Sequence, residues 1–247
     1  MDVVNPGASS RFLLLGDHAG RAIPRRLGDL GLAPQDRERH IAWDIGVAAL
    51  GEQLSERLGA AFVRQRYSRL VIDCNRDPVR PDAIPEASDG TAVPGNHGLT
   101  PQARAARVRA VFAPYHDRIA AELDARRSAG GATLLVALHS FTPQMAGQAR
   151  PWRFGVLHRD DSPFSRAVLA RLRADPARLE VGDNQPYRMD ETDFTIPHHA
   201  GSRGLDYVEV EVRQDLLKDL DGVAAAAERL ARVLVEAAED LGRETPG

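Results

Sequence analysis

Three short apolar runs, at residues 12–15, 70–74 and 133–138, each stop abruptly at polar side chains. Asp17 and His18 follow the first, Asn75 and Arg76 the second, His139 and Ser140 the third. Such runs, bounded by turn signals, fit strands covered on both faces, as in a parallel sheet between helices. Residues 60–66 and 154–157 read as further strands. Between them the apolar positions recur at helical spacing: Val47, Leu50, Leu54 and Leu58 before Gly59; Val108 to Leu123 after the capping pair Thr100-Pro101, with Pro114 predicting a kink; and Val168, Leu169 and Leu172 after Ser162-Pro163. From Leu216 onward a long amphipathic helix closes the chain. Strands alternating with helices predict an α/β fold, a mixed and mostly parallel central sheet flanked by helices, in a single domain spanning 1–247. Ligands of such sheets gather beyond the carboxyl ends of the strands. His18, Asn75 with Arg76, and His139 are therefore expected on one edge.

The segment from Tyr207 alternates strictly: Val208, Val210 and Val212 face one way, Glu209, Glu211 and Arg213 the other. Charged groups on a core strand demand an explanation. Either the strand is an exposed edge carrying an ion-pair ladder, or Glu211 is a general base that accepts a proton from water.

Composition narrows the chemistry. With 247 residues, 43% of them hydrophobic, and a formal net charge of -3, the chain can bury a full core. No window approaches the roughly 18 consecutive apolar residues of a membrane helix, and the first residues lack the basic-then-apolar order of a secretory signal, so a soluble cytoplasmic protein is expected. Cys74 is the one cysteine, which excludes an internal disulfide framework and a multi-cysteine zinc cluster. A metal must then sit on histidines and carboxylates. Lys218 is the one lysine, and the arginines are scattered among acids, which argues against a nucleic-acid footprint. Single arginines remain available to grip a carboxylate two-pronged.

His18 and His139, both at strand ends, are the candidate zinc-binding imidazoles, although no local HExxH spacing exists. Asp44 is the candidate carboxylate ligand, with Asp17 and Asp73 as rivals. An Asp at the start of a helix is equally well an N-cap. Arg76 and Asn75 suit a substrate carboxylate; the competing reading of Arg76 is a salt bridge to Asp73 or Asp77. His199, in the run Pro-His-His-Ala-Gly, and Arg213 are candidate contacts to substrate or to a developing oxyanion. Cys74 reads as an inert buried thiol. The absence of GxSxG, Walker and GxGxxG motifs disfavours a serine hydrolase and a nucleotide site. The long stretch 78–101 is either a mobile lid or a surface excursion, and is expected to shape specificity.

Taken together, the stretches at residues 16–24 (GDHAGRAIP), 40–46 (HIAWDIG), 68–76 (SRLVIDCNR), 138–140 (LHS) and 209–214 (EVEVRQ) resemble the N-formylglutamate amidohydrolase family. The resemblance implies a fold like that of zinc carboxypeptidases and aspartoacylases, and metal-dependent hydrolysis of a small N-acyl amino acid. It further implies that His18 and His139 bind metal, Asn75-Arg76 holds the substrate carboxylate and Glu211 is the catalytic glutamate. Zinc carboxypeptidases carry a Glu three residues after the first His, where this chain has Arg21, so Asp44 is taken as the third ligand. The competing readings are a metallo-carboxypeptidase or cell-wall peptide amidase, and a metal-free binding protein for a small ligand.

Overall fold

The computed structural model describes residues 1–159 and 162–243; residues 244–247, the end of the expected 1–247 domain, lie outside the described residues. Strands β1 (Asp2–Val4), β2 (Phe12–Gly16) and β3 (Ala61–Arg64) precede a small hairpin, β4 (Ala87–Ser88) with β5 (Thr91–Ala92). The long β6 (Leu134–Phe141) leads into a second hairpin, β7 (Gln144–Met145) with β8 (Gln148–Ala149), followed by β9 (Phe154–Leu157), β10 (Val181–Asp183) and β11 (Tyr207–Arg213). The helices are α1 (Val47–Leu58), α2 (Pro101–Arg107), α3 (Ala113–Ser128), α4 (Pro163–Arg173), the short α5 (Thr195–His199) and α6 (Leu220–Arg243).

Seven strands form one sheet in the order β1-β3-β2-β6-β11-β9-β10. Strands β3, β2, β6 and β11 run parallel; β9 turns antiparallel to β11, β10 follows β9, and β1 runs antiparallel to β3. This is the α/β architecture expected, with a mixed, mostly parallel sheet flanked by helices. The pleat sorts the apolar residues onto two faces. Leu14, Val136, Leu138, Val208, Val210 and Val212 pack against residues of α1, α4 and α6. Leu13, Leu15, Leu135, Ala137 and Tyr207 pack on the other side with Tyr115, Ile119 and Leu123 of α3. Because side chains alternate along a strand, His139, Glu209 and Glu211 project from this second face. Among the described residues no helix is long and apolar enough to cross a membrane.

Residues 70–74 are not a strand. Leu70, Val71, Ile72 and Cys74 are all buried, which explains the apolar run, but the segment lies over the second face of the sheet. Side chains replace the missing ladder: Arg107 donates to the Val71 carbonyl (2.9 Å) and Asn96 to the Leu70 carbonyl (2.9 Å). A buried backbone needs such partners wherever no neighbouring strand supplies them. The 78–101 stretch is an ordered excursion, with 3-10 turns at Pro81–Ala83 and Pro94–Asn96 around the β4–β5 hairpin and with Ala83, Ile84, Val93 and Asn96 buried. Thr100 caps α2 by accepting from the Ala103 N–H. Between α2 and α3 the chain widens into a π-helical turn at Val108–Phe112, where Pro114 has no N–H to continue the α ladder. The closing helix begins at Leu220 rather than Leu216, after a 3-10 turn at Gln214–Leu217.

Candidate active site

The parallel strands β2, β6 and β11 end on the same edge of the sheet. His18 lies two residues beyond β2, while His139 sits inside β6, which runs on to Phe141. In the β6–β11 register Glu211 lies opposite His139 and Glu209 opposite Ala137. The loop before α1 crosses this edge, and the Asp44 N–H donates to the His18 carbonyl (2.9 Å). Asp44 does not cap α1; that position belongs to Gly46, in the left-handed region at φ 85°. Its carboxylate turns inward instead.

There, Asp44 Oδ2 is 2.9 Å from His139 Nδ1 and 3.5 Å from His18 Nδ1. All three residues are buried, and the two imidazole centroids are 5.0 Å apart. One donor atom from each of His18, Asp44 and His139 lies within 4.8 Å of the others, a set of nitrogen and oxygen ligands that suits a cation. His18 Nδ1, buried and aimed at this cluster, has no hydrogen-bond partner. The opposite ring atoms face carboxylates: His18 Nε2 is 2.7 Å from Asp73 Oδ1, and His139 Nε2 is 3.6 Å from Asp17 Oδ2. Backing of this kind fixes the orientation of metal-binding histidines. Arg69 in turn grips Asp73 through Nε (3.0 Å) and Nη2 (2.6 Å), and Thr195 donates to Asp17 (3.0 Å).

The electrostatics follow from these contacts. Burial raises the Asp44 carboxyl, but the two imidazoles outweigh it and hold Asp44 far below the ordinary carboxylate range. Asp73 is likewise held low against its burial, chiefly by Arg69 and His18. Burial and the Arg69 charge pull His18 down, yet Asp73 and Asp44 prevail and raise it.

Glu209 and Glu211 are buried, and the Oε2 atom of each lacks a partner. A solvated ion-pair ladder is thereby excluded: β11 lies between β6 and β9, inside the sheet. Burial pushes Glu211 up to about 8, against the opposing pull of His139.

A cavity of about 450 Å³ opens onto the cluster and is lined by His18, Asp44, His139, Glu209 and Glu211, with Asn75 and Arg76. Arg76 is not paired with Asp73 or Asp77. Its Nη1 donates to Thr192 Oγ1 (2.6 Å) and lies 3.7 Å from Asp193. Asn75 donates to Asp193 (3.1 Å), while its Oδ1 accepts from the Phe194 and Thr195 N–H groups. Two expected contacts do not reach the cavity. His199 is wholly buried behind it, its Nε2 2.9 Å from His116 Nδ1, because the short α5 turns this side chain inward. Arg213, at the last position of β11, folds back onto Asp215 (2.7 and 3.1 Å) and the carbonyls of Arg150 and Pro151. Sequence reasoning missed Arg69, whose i,i+4 spacing to Asp73 was a usable signal, and Tyr187, Arg188, Thr192 and Asp193, which lie on an aperiodic loop with none.

A profile of the N-formylglutamate amidohydrolase family matches residues 10–218. This chain belongs to that family. It is a hydrolase that acts on amide C–N bonds. A solved gene product from Agrobacterium tumefaciens is similar at 37% identity and a TM-score of 0.94, over 98% of this chain and 95% of that one. The N-formylglutamate amidohydrolase from Ralstonia eutropha JMP134 shares the fold at 19% identity and a TM-score of 0.69, over 99% and 98% of the two chains. No curated protein matches the sequence significantly.

Proposed function

We propose that the chain hydrolyses the amide of a small N-acyl amino acid, of the N-formylglutamate type, with Zn held by His18, Asp44 and His139. The observation that carries this reading is the cluster of those three side chains with Glu211 in register beside His139, inside one cavity. Bound Zn would supply polarisation of the scissile carbonyl and acidify the attacking water. The remaining work falls to side chains. Arg76 offers a charged, Thr192-positioned donor for the α-carboxylate, with Asn75 beside it. Glu211 takes a proton from the attacking water and returns it to the departing amine, which leaves as the free amino acid alongside the carboxylic acid. A cation held beside Glu211 would lower its pKa and so favour the carboxylate that accepts the proton. Glu211 is itself buried, and the buried Leu157 and Phe141 line the same cavity.

The test is turnover of N-formylglutamate beside other N-acyl amino acids and short peptides, with metal content measured on the same sample. Glu211→Gln is expected to lower kcat by roughly 100-fold or more while Zn stays bound. Retention of most turnover at full occupancy refutes the role of Glu211, and cleavage of peptides alone refutes the substrate class.

A further inference from the structure

Arg69, Arg76 and Arg188 are the arginines that line the cavity. The first is committed to Asp73 and lies 3.6 Å from Asp44; the second is held by Thr192 and Asp193. Arg188 is exposed and, among the described residues, makes neither an ion pair nor a hydrogen bond. Three acids that line the same cavity have other partners: Asp82 pairs with Arg80, Asp89 with Arg39, and Asp190 accepts from the Thr192 N–H. Its loop is nevertheless anchored. Met189 is buried, Asn184 N–H donates to the Val156 carbonyl (2.9 Å), and Arg159 donates to the Asp190 carbonyl (2.9 Å). An unpaired guanidinium on an anchored segment binds an anion without the cost of ordering the backbone.

We propose that Arg188 binds the side-chain carboxylate of the substrate and so selects N-acyl amino acids with an anionic side chain, a role that rests on the amidohydrolase reading above. Arg76 keeps the α-carboxylate, and the two guanidiniums read the two ends of a dianion. N-formylglutamate and N-formylglutamine differ little in shape and by one charge, which isolates the contact. Arg188→Gln is expected to lower the ratio of kcat/KM for the acid over the amide about tenfold, the loss of one charge-assisted contact at an exposed site, and to do so through KM. An unchanged ratio overturns the proposal, as does a wild-type enzyme that prefers the amide. Calorimetric binding of glutarate against glutaramate to wild type and Arg188→Gln reads the same contact without turnover. If wild type hydrolyses neither substrate yet loses its glutarate preference in the variant, the anion site stands and the assigned reaction falls; if binding too is indifferent to the substitution, Arg188 has no such role.

Discussion

Replacing Arg107 by Met tests whether the segment that delivers Asn75 and Arg76 hangs from side chains. Arg107 donates from Nη1 to the Val71 carbonyl (2.9 Å) and Asn96 Oδ1 (2.6 Å), and from Nη2 to the Gly95 carbonyl (3.0 Å). Hydrogen bonds from a charged donor contribute about 1.5–3 kcal/mol each, so three amount to roughly 4–9 kcal/mol gross. Against this stands the cost of desolvating the guanidinium, visible as a pKa lowered by burial and by Arg104. Methionine recovers that cost but leaves the acceptors unpaired, and the net loss is expected to be about 3 kcal/mol. For a chain of 247 residues this corresponds to a fall in Tm of roughly 6–12 °C. Urea and thermal unfolding of wild type and Arg107→Met, read by circular dichroism, supply the measurement. A loss below about 1 kcal/mol would mean that the 70–76 segment is held mainly by its buried apolar side chains, and the reasoning would fail.

Two further outcomes follow from the buried histidines and their partners. His199 and His116 are held down by burial, to about 3 and about 4, so above pH 6.5 neither affects the pH dependence of folding. Below 6.5 the unfolded chain takes up protons that the folded chain refuses, and stability falls by about 1.4 kcal/mol per pH unit for each group. His199→Asn should remove about that much slope between pH 6.5 and 5 in urea titrations; an unchanged slope contradicts the burial argument. Asp73→Asn, which weakens the support of His18 Nε2, should loosen Zn binding roughly 10- to 100-fold in chelator competition. Unaltered affinity would remove Asp73 from the proposed metal site.

Legibility in the sequence tracked periodicity. Strands β2, β6, β9 and β11 and helices α1 and α4 carry apolar repeats set by two-faced burial, and each repeat marks its element. The run at 70–74 has the same composition because it is equally buried, and composition does not distinguish a ladder from a segment satisfied by Arg107 and Asn96. Asn75 and Arg76 nonetheless reach the cavity, since the segment ends over the expected edge. Asp44 could not be decided from position, because a helix-start carboxylate serves a cap or a cluster equally well; the left-handed Gly46 removes the cap. His199 and Arg213 went astray because local turns aim those side chains away, one toward His116 and the other toward Asp215. Arg188, Thr192 and Asp193 lie on a loop whose shape depends on distant contacts, and no local pattern announces them.

The pairing of β6 with β11 acts as a ruler. A slip of one residue would swing Glu211 to the far side of the sheet, among the valines and α6, so its spacing to His139 is as durable as the sheet itself. The segments that shape the pocket mouth, at 78–100 and 184–194, are free of that constraint. Insertions or exchanges there can retune which amide enters while leaving the distance between acid and imidazole untouched.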